Sequence, residues 1–114
     1  MNLDTFLKTL KDNPASVSFD DTMAAINANY EFTPTAFSNG ETKNEAGQNS
    51  GSCKVFAFGM LNRLSEEETL ACFGAYYRED VLKHPEGTDH QNIRNFMKTG
   101  WAGVKFDEMP LRAK

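Results

Sequence analysis

Leu3, Phe6, Leu7 and Leu10 recur at the i, i+3, i+4, i+7 spacing of one helical face, and Asn2 stands where a cap is wanted. The Asn13-Pro14 step ends that helix, because the residue before a proline is pushed out of helical space. A second helix is expected from about Asp20, with Ser18 or Asp20 as cap and Phe19 stapled onto the first turn. Met23, Ile26 and Tyr30 continue its apolar stripe. The period then changes. Tyr30 and Phe32 alternate with Glu31 and Thr33, and Thr33-Pro34 breaks any helix, so an edge-type extended segment runs on to the Asn39-Gly40 turn.

Residues 39–52 carry no large apolar side chain, and a stretch of fourteen such residues is either a linker or a functional or disordered loop. Residues 53–64 are apolar on most sides (Cys53, Val55, Phe56, Ala57, Phe58, Met60, Leu61, Leu64), which predicts a central buried helix. Ser65 with Glu68 makes a capping box for the next helix, whose inward face runs through Leu70, Phe73, Tyr77 and Val81 to His84-Pro85. After the Pro85-Glu86-Gly87 turn, Thr88 with Gln91 makes a second box for a helix that ends at Gly100, with Ile93, Phe96 and Met97 inward. Trp101 to Phe106 returns as a short strand. The expected fold is α+β and mainly helical, a single compact domain over residues 1–114 with about five helices. A minor β element pairs Tyr30–Phe32 or Phe37 with Val104–Phe106.

A length of 114 residues suits one domain. The net charge of −4 excludes the basic footprint of a general nucleic-acid binder. No apolar run approaches the length of a membrane span, and the amino terminus lacks the order of a cleaved leader. His84 and His90 are six apart and Cys53 and Cys72 nineteen apart, so neither pair has ligand spacing, and no metal or other cofactor is expected.

Three polar groupings carry candidate chemistry. Cys53 follows Gly51-Ser52 near a helix start, with Lys54 adjacent, a setting that favours thiolate; its plainer role is a small buried apolar residue. Residues 47–54 resemble a phosphate loop without matching the Walker spacing. Their glycines still bring backbone N–H groups to a helix start that suits an anion. The densest constellation is Asp89 to Asn95, where His90, Arg94 and Lys98 share a helical face in a segment whose charge from His90 onward is net +3. His90 and Cys53 are therefore the candidate catalytic residues, and Asn44, Asn49, Lys54, Asn92 and Arg94 the candidate ligand contacts. The 44–54 loop and the 89–94 helix start are expected to meet as one anion-binding surface. On the alternative reading the same side chains only cap helices and tie the loop to the fold.

Longer motifs point to a family. Tyr30-x-Phe32-x-Pro34-x-x-Phe37, Asn44 to Asn49, Ser52 to Phe56, Leu70-x-x-Phe73-Gly74-x-Tyr76-Tyr77-Arg78 and Asp89 to Met97 resemble the HopJ type III effector family over about residues 2–106. The resemblance implies a bacterial, effector-like protein and supplies no catalytic residues to carry over. The expected location is the cytoplasm, with export by a type III system without a cleaved signal as the route the family name implies. The leading expectation is a non-enzymatic binding protein whose partner is a protein or a small anionic ligand, with neither nucleic acid nor membrane involved. The alternative is a small hydrolase or transferase using His90 or Cys53 at an anion-binding pocket. A third possibility is an interaction module, monomeric or a weak homodimer, that self-associates through Trp101.

Overall fold

A computed structural model describes residues 2–114. Helix α1 spans Leu3–Asp12, capped by Asn2, whose Oδ1 accepts from Thr5 N–H at 2.8 Å. Helix α2 spans Phe19–Asn29 behind a full capping box of Ser18 and Asp21. Three short strands follow: β1 (Tyr30–Phe32), β2 (Phe37–Asn39) and β3 (Thr42–Asn44). Helix α3 spans Ser50–Leu61, α4 Glu66–Ala71 and α5 Gln91–Thr99, before β4 (Val104–Phe106) and β5 (Leu111–Ala113) close the chain. The architecture is α+β and mainly helical, in a single globule. None of these helices is long and apolar enough to cross a membrane.

Helix α3 runs through the centre because it has no polar face to offer water. Cys53, Val55, Phe56, Ala57 and Phe58 are all buried, and the other elements wrap them. Phe56 meets Phe37, Phe73 and Phe96 at ring separations of 6.2, 5.6 and 5.0 Å, while Phe58 meets Phe6 and Tyr30 edge-on. The expected core helix is therefore present. It begins three residues earlier than the apolar run, since Ser50-Gly51-Ser52 form its first turn.

The strands form two small antiparallel sheets. One is β3-β2-β4, with Phe37 opposite Phe106; the other pairs β1 with β5. Phe37 thus takes the expected partner strand, whereas Tyr30–Phe32 pairs with Leu111–Ala113. The polar stretch 39–52 is neither a linker nor one long loop. Gly40-Glu41 turn the chain with glycine at a φ of +60°, β3 pairs back onto β2, and only residues 45–49 separate β3 from α3.

Three local expectations give way to tertiary contacts. Phe19 lies inside the first turn of α2 and packs outward onto Phe73 and Tyr76 rather than stapling its own helix. The helix expected from Ser65 to His84 is interrupted at Gly74, which has a φ of +61° and restarts the chain as a π-helical turn over Tyr76–Val81. A β-carbon on Gly74 would lie 2.6 Å from the Phe19 backbone nitrogen, so the close approach of α2 requires glycine here. The Thr88–Gln91 capping box does not form: Gln91 Nε2 donates to the Thr88 carbonyl, and α5 starts from His90. Arg94 gathers the carbonyls of His84 and Asp89, which holds the preceding turn in a shape that delays the helix.

Gly74→Ala combines a left-handed backbone with a collision against main chain. It is expected to lower unfolding free energy by about 2 kcal/mol or more, measured by urea denaturation, with Ala75→Gly as a milder control.

Candidate functional site

Two helix starts open into the same cleft for a shared local reason. Asn49 precedes α3 with φ/ψ of 49°/46°, and His90 precedes α5 with 49°/48°. Asparagine and histidine are among the residues that tolerate this left-handed conformation. From it, neither side chain reaches back to the N–H groups that a cap would satisfy. Cys53 N–H to Asn49 O and Arg94 N–H to His90 O are the first helical bonds. Among the described residues, the N–H groups of Gly51, Ser52, Gln91, Asn92 and Ile93 meet no acceptor.

The cleft encloses about 550 Å³. Its walls include Phe19, Phe73 and Tyr76 on one side, with Asn49, Ser52 and His90 on the helix starts. Phe19 stacks on Phe73 at 6.4 Å and meets Tyr76 edge-on at 5.2 Å, so the aromatic wall is continuous. Tyr76 is 44% exposed, unusually open for an aromatic so well supported. The His90 ring lies 5.3 Å from the Tyr76 ring.

His90 is held from the π-helical turn. Its Nε2 lies 3.1 Å from Asp80 Oδ2 and 3.8 Å from Asp89 Oδ2, with the side chain 28% exposed. The carboxylate at Nε2 assigns the ring hydrogen to that atom and leaves Nδ1 as the proton acceptor. With Nε2 engaged by Asp80, the neutral ring offers Nδ1 as an acceptor, which can take a proton or a hydrogen bond from a ligand.

Four asparagines set the spacing of the two helix starts. Asn92 Nδ2 donates to Asn44 Oδ1 at 3.0 Å, and Asn44 Nδ2 donates to Asn92 Oδ1 at 3.2 Å. Asn49 Nδ2 donates to the same Asn44 oxygen at 2.7 Å, and Asn39 Nδ2 donates to the Asn92 carbonyl at 2.7 Å. The β2–β3 hairpin is thereby tied to the starts of both α3 and α5. Asn44 and Asn92 are buried and spend their amides on one another, leaving Asn49 as the more open member.

The 44–54 and 89–94 segments therefore meet, bringing Asn44, Asn49, His90 and Asn92 together. Lys54 lies elsewhere, with Nζ 3.1 Å from Asn27 Oδ1 and over the Phe32 ring. Arg94 is directed into the 80–89 turn. Its side chain is only 10% exposed and donates to the carbonyls of Asp89 and His84 at 2.6 and 2.9 Å and to Asp89 Oδ1 at 2.6 Å. Those bonds account for its burial as structural work. Cys53 is buried within α3, and burial pushes its thiol up to about 11, against a smaller lowering by the Thr35 backbone. Burial likewise pushes Cys72 up to about 12. Desolvation outweighs the helix start and the neighbouring lysine, so neither sulfur is a thiolate at neutral pH.

The motif reading missed Tyr76 and Phe19 as walls of the cleft and Asp80 as the partner of His90. Tyr76 was visible within the Leu70–Arg78 motif but carried no chemical signal alone. Asp80 reaches His90 only because of the π-helical turn. Trp101, the expected self-association residue, packs edge-on against Phe96 and donates from Nε1 to the Leu64 carbonyl at 3.1 Å.

Arg94→Ala is expected to cost about 1–3 kcal/mol of stability by removing a largely buried side chain that holds the carbonyls of His84 and Asp89, measured by chemical denaturation. The Arg94 guanidinium, with a smaller contribution from His90, holds the Asp89 carboxyl below its ordinary 3.8. Its stabilising effect is present above that value and is lost as pH falls toward the lowered folded value. Asp89→Asn should therefore flatten the acid limb of the thermal midpoint plotted against pH. Both thiols should resist an aromatic disulfide reagent at pH 8 in the folded protein and react fully in urea.

The crystal structure of VPA0580, described as a protein of unknown function, matches this chain with a TM-score of 0.99 at 60% sequence identity, covering 100% of this chain and 95% of that one. No curated protein matches. The model of the HopJ type III effector protein family matches residues 3–111, from the start of α1 to the start of β5. Spanning nearly the whole chain, that match places this protein in the HopJ type III effector protein family.

Proposed function

We propose that this protein is an effector-like, non-enzymatic binding protein whose working surface is the cleft between the starts of α3 and α5, and that it takes a small anionic group there. The carrying observation is that five unpaired helix-start N–H groups, His90 and an exposed tyrosine on a firm aromatic wall border one concavity of about 550 Å³. Backbone dipoles favour negative charge at both helix starts, and an uncapped turn has donors to give. Two carboxylates lie nearby. Asp80 is engaged with His90 and Asp89 with Arg94, so each has a cationic or donor partner within its own wall. An anion carrying a flat or apolar portion suits the chemistry of the walls, with its charge toward the N–H groups and its body against Tyr76. The family description adds export by a type III system as the proposed route out of the cytoplasm.

The Asp80–His90 contact favours one second reading, a hydrolase or transferase in which His90 Nδ1 accepts a proton while Asp80 orients the ring. Cys53 has no part in it, being buried and protonated.

Thermal-shift titration with inorganic phosphate and aryl phosphates separates these readings. Binding raises the midpoint with ligand concentration, stabilising by about 2.7 kcal/mol at a hundredfold excess over Kd. His90→Asn, which keeps a residue tolerant of the left-handed backbone, and Tyr76→Ser should each lose most of the shift with little change in ligand-free stability. Binding of p-nitrophenyl phosphate without release of nitrophenol supports the binding protein. Release that disappears in His90→Asn supports the enzyme. Absence of any shift across the anion series overturns the cleft as an anion site.

A further inference from the structure

Asn39-Gly40 is the one Asn-Gly step in the chain. In a flexible peptide this step is chemically labile. The glycine nitrogen attacks the asparagine side-chain carbon, a five-membered succinimide closes, and ammonia leaves. Water then opens the ring at either carbonyl, giving aspartate or isoaspartate. The reaction needs a rotatable side chain, an available glycine nitrogen, a donor for the developing oxyanion, and water.

The fold withholds each requirement at this position. The Asn39 side chain is 0% exposed. Its Nδ2, the leaving nitrogen, donates to the Asn92 carbonyl at 2.7 Å and to Asn92 Oδ1 at 3.2 Å, which fixes the rotamer. The Gly40 N–H, the attacking group, donates to the Gly103 carbonyl at 2.9 Å. Asn39 Oδ1 is buried with no partner at all, so negative charge developing there meets no donor. The labile pair is nevertheless built into the structure. The hairpin needs Gly40 at a φ of +60°, where a β-carbon would also lie 3.2 Å from Thr99 Oγ1. The link from β2 to α5 needs an amide, because only a donor satisfies two Asn92 oxygens.

We infer that Asn39 is a latent modification site, closed to deamidation in the folded chain and open in the unfolded one, whose conversion prevents return to the native structure. The product explains the second half. Aspartate puts a carboxylate oxygen where Nδ2 stood, facing the two oxygens of Asn92 in a buried setting. Isoaspartate adds a methylene to the main chain, breaking the register in which Asn39 lies opposite Thr42 and Val104. Either product disconnects the hairpin from the start of α5.

The test ages wild-type protein at mildly alkaline pH, folded in buffer and unfolded in urea, and maps peptides by mass spectrometry. Conversion at Asn39 should dominate in urea and run about a thousandfold or more slower in buffer, the ratio following the population of the opened form. Comparable rates in the two conditions overturn the inference, as does conversion in urea led by another asparagine. Aged chains are then refolded and separated by size. Chains in which Asn39 has become aspartate or isoaspartate should be depleted from the native fraction. Their recovery there with an unchanged melting temperature overturns the claim that conversion blocks refolding. Asn39→Asp, refolded without ageing, should show the same exclusion.

Discussion

The paired amides of Asn44 and Asn92 hold the rest of the molecule in register. Each is buried and each supplies the donor and the acceptor that the other needs, so the two cannot separate without leaving unsatisfied polar groups in a dry interior. Asn44 ends a strand, Asn92 lies in the first turn of a helix, and Asn49 joins them from the residue before the central helix. One pair of side chains thereby sets the distance between a hairpin and two helix starts. The concavity between those starts is a consequence of that spacing.

A second constraint acts from the opposite wall. Gly74 lets the chain pass against the backbone at Phe19, and the segment that follows winds as a π-helical turn. That turn carries both Tyr76 and Asp80, and both reach His90. The histidine is therefore set between a hairpin-tethered helix and a turn that is itself anchored by α2. Its open side faces the cleft, which is the geometric basis for assigning it a role with ligand.

Much of the fold was legible along the chain because its signals are local. The cap at Asn2, the box opened by Ser65, the proline stop at Asn13-Pro14 and the glycine stop at Gly100 all appear where the residues place them, and of the two caps open to the second helix Ser18 is the one used. The apolar run after Cys53 identified the central helix, since a segment without a polar face has nowhere else to go. The site was legible only in outline. The polar content of residues 44–54 and 89–94 marked two segments that meet, yet side-chain identity did not distinguish Asn49, which faces the cleft, from Asn44, which is spent on the network. Arg94 illustrates the same difficulty: its charge suggests an anion, and its burial against the turn carbonyls of His84 and Asp89 shows that those acceptors come first.

What the sequence determined by itself was therefore the main helices, the central position of α3, the acidic balance and the family, all properties of residue order and spacing. Tertiary structure alone decided whether each polar group was free or already partnered. Cys53 lies near a helix start beside a lysine in sequence, but its protonation follows from burial, which depends on every element that packs over it. Asp80 acquires its role from a histidine ten positions away, across a turn whose shape Arg94 maintains. Hydrogen-bond satisfaction is a property of the assembled interior, because a donor is spent or available according to which distant acceptor the fold brings within about 3 Å of it.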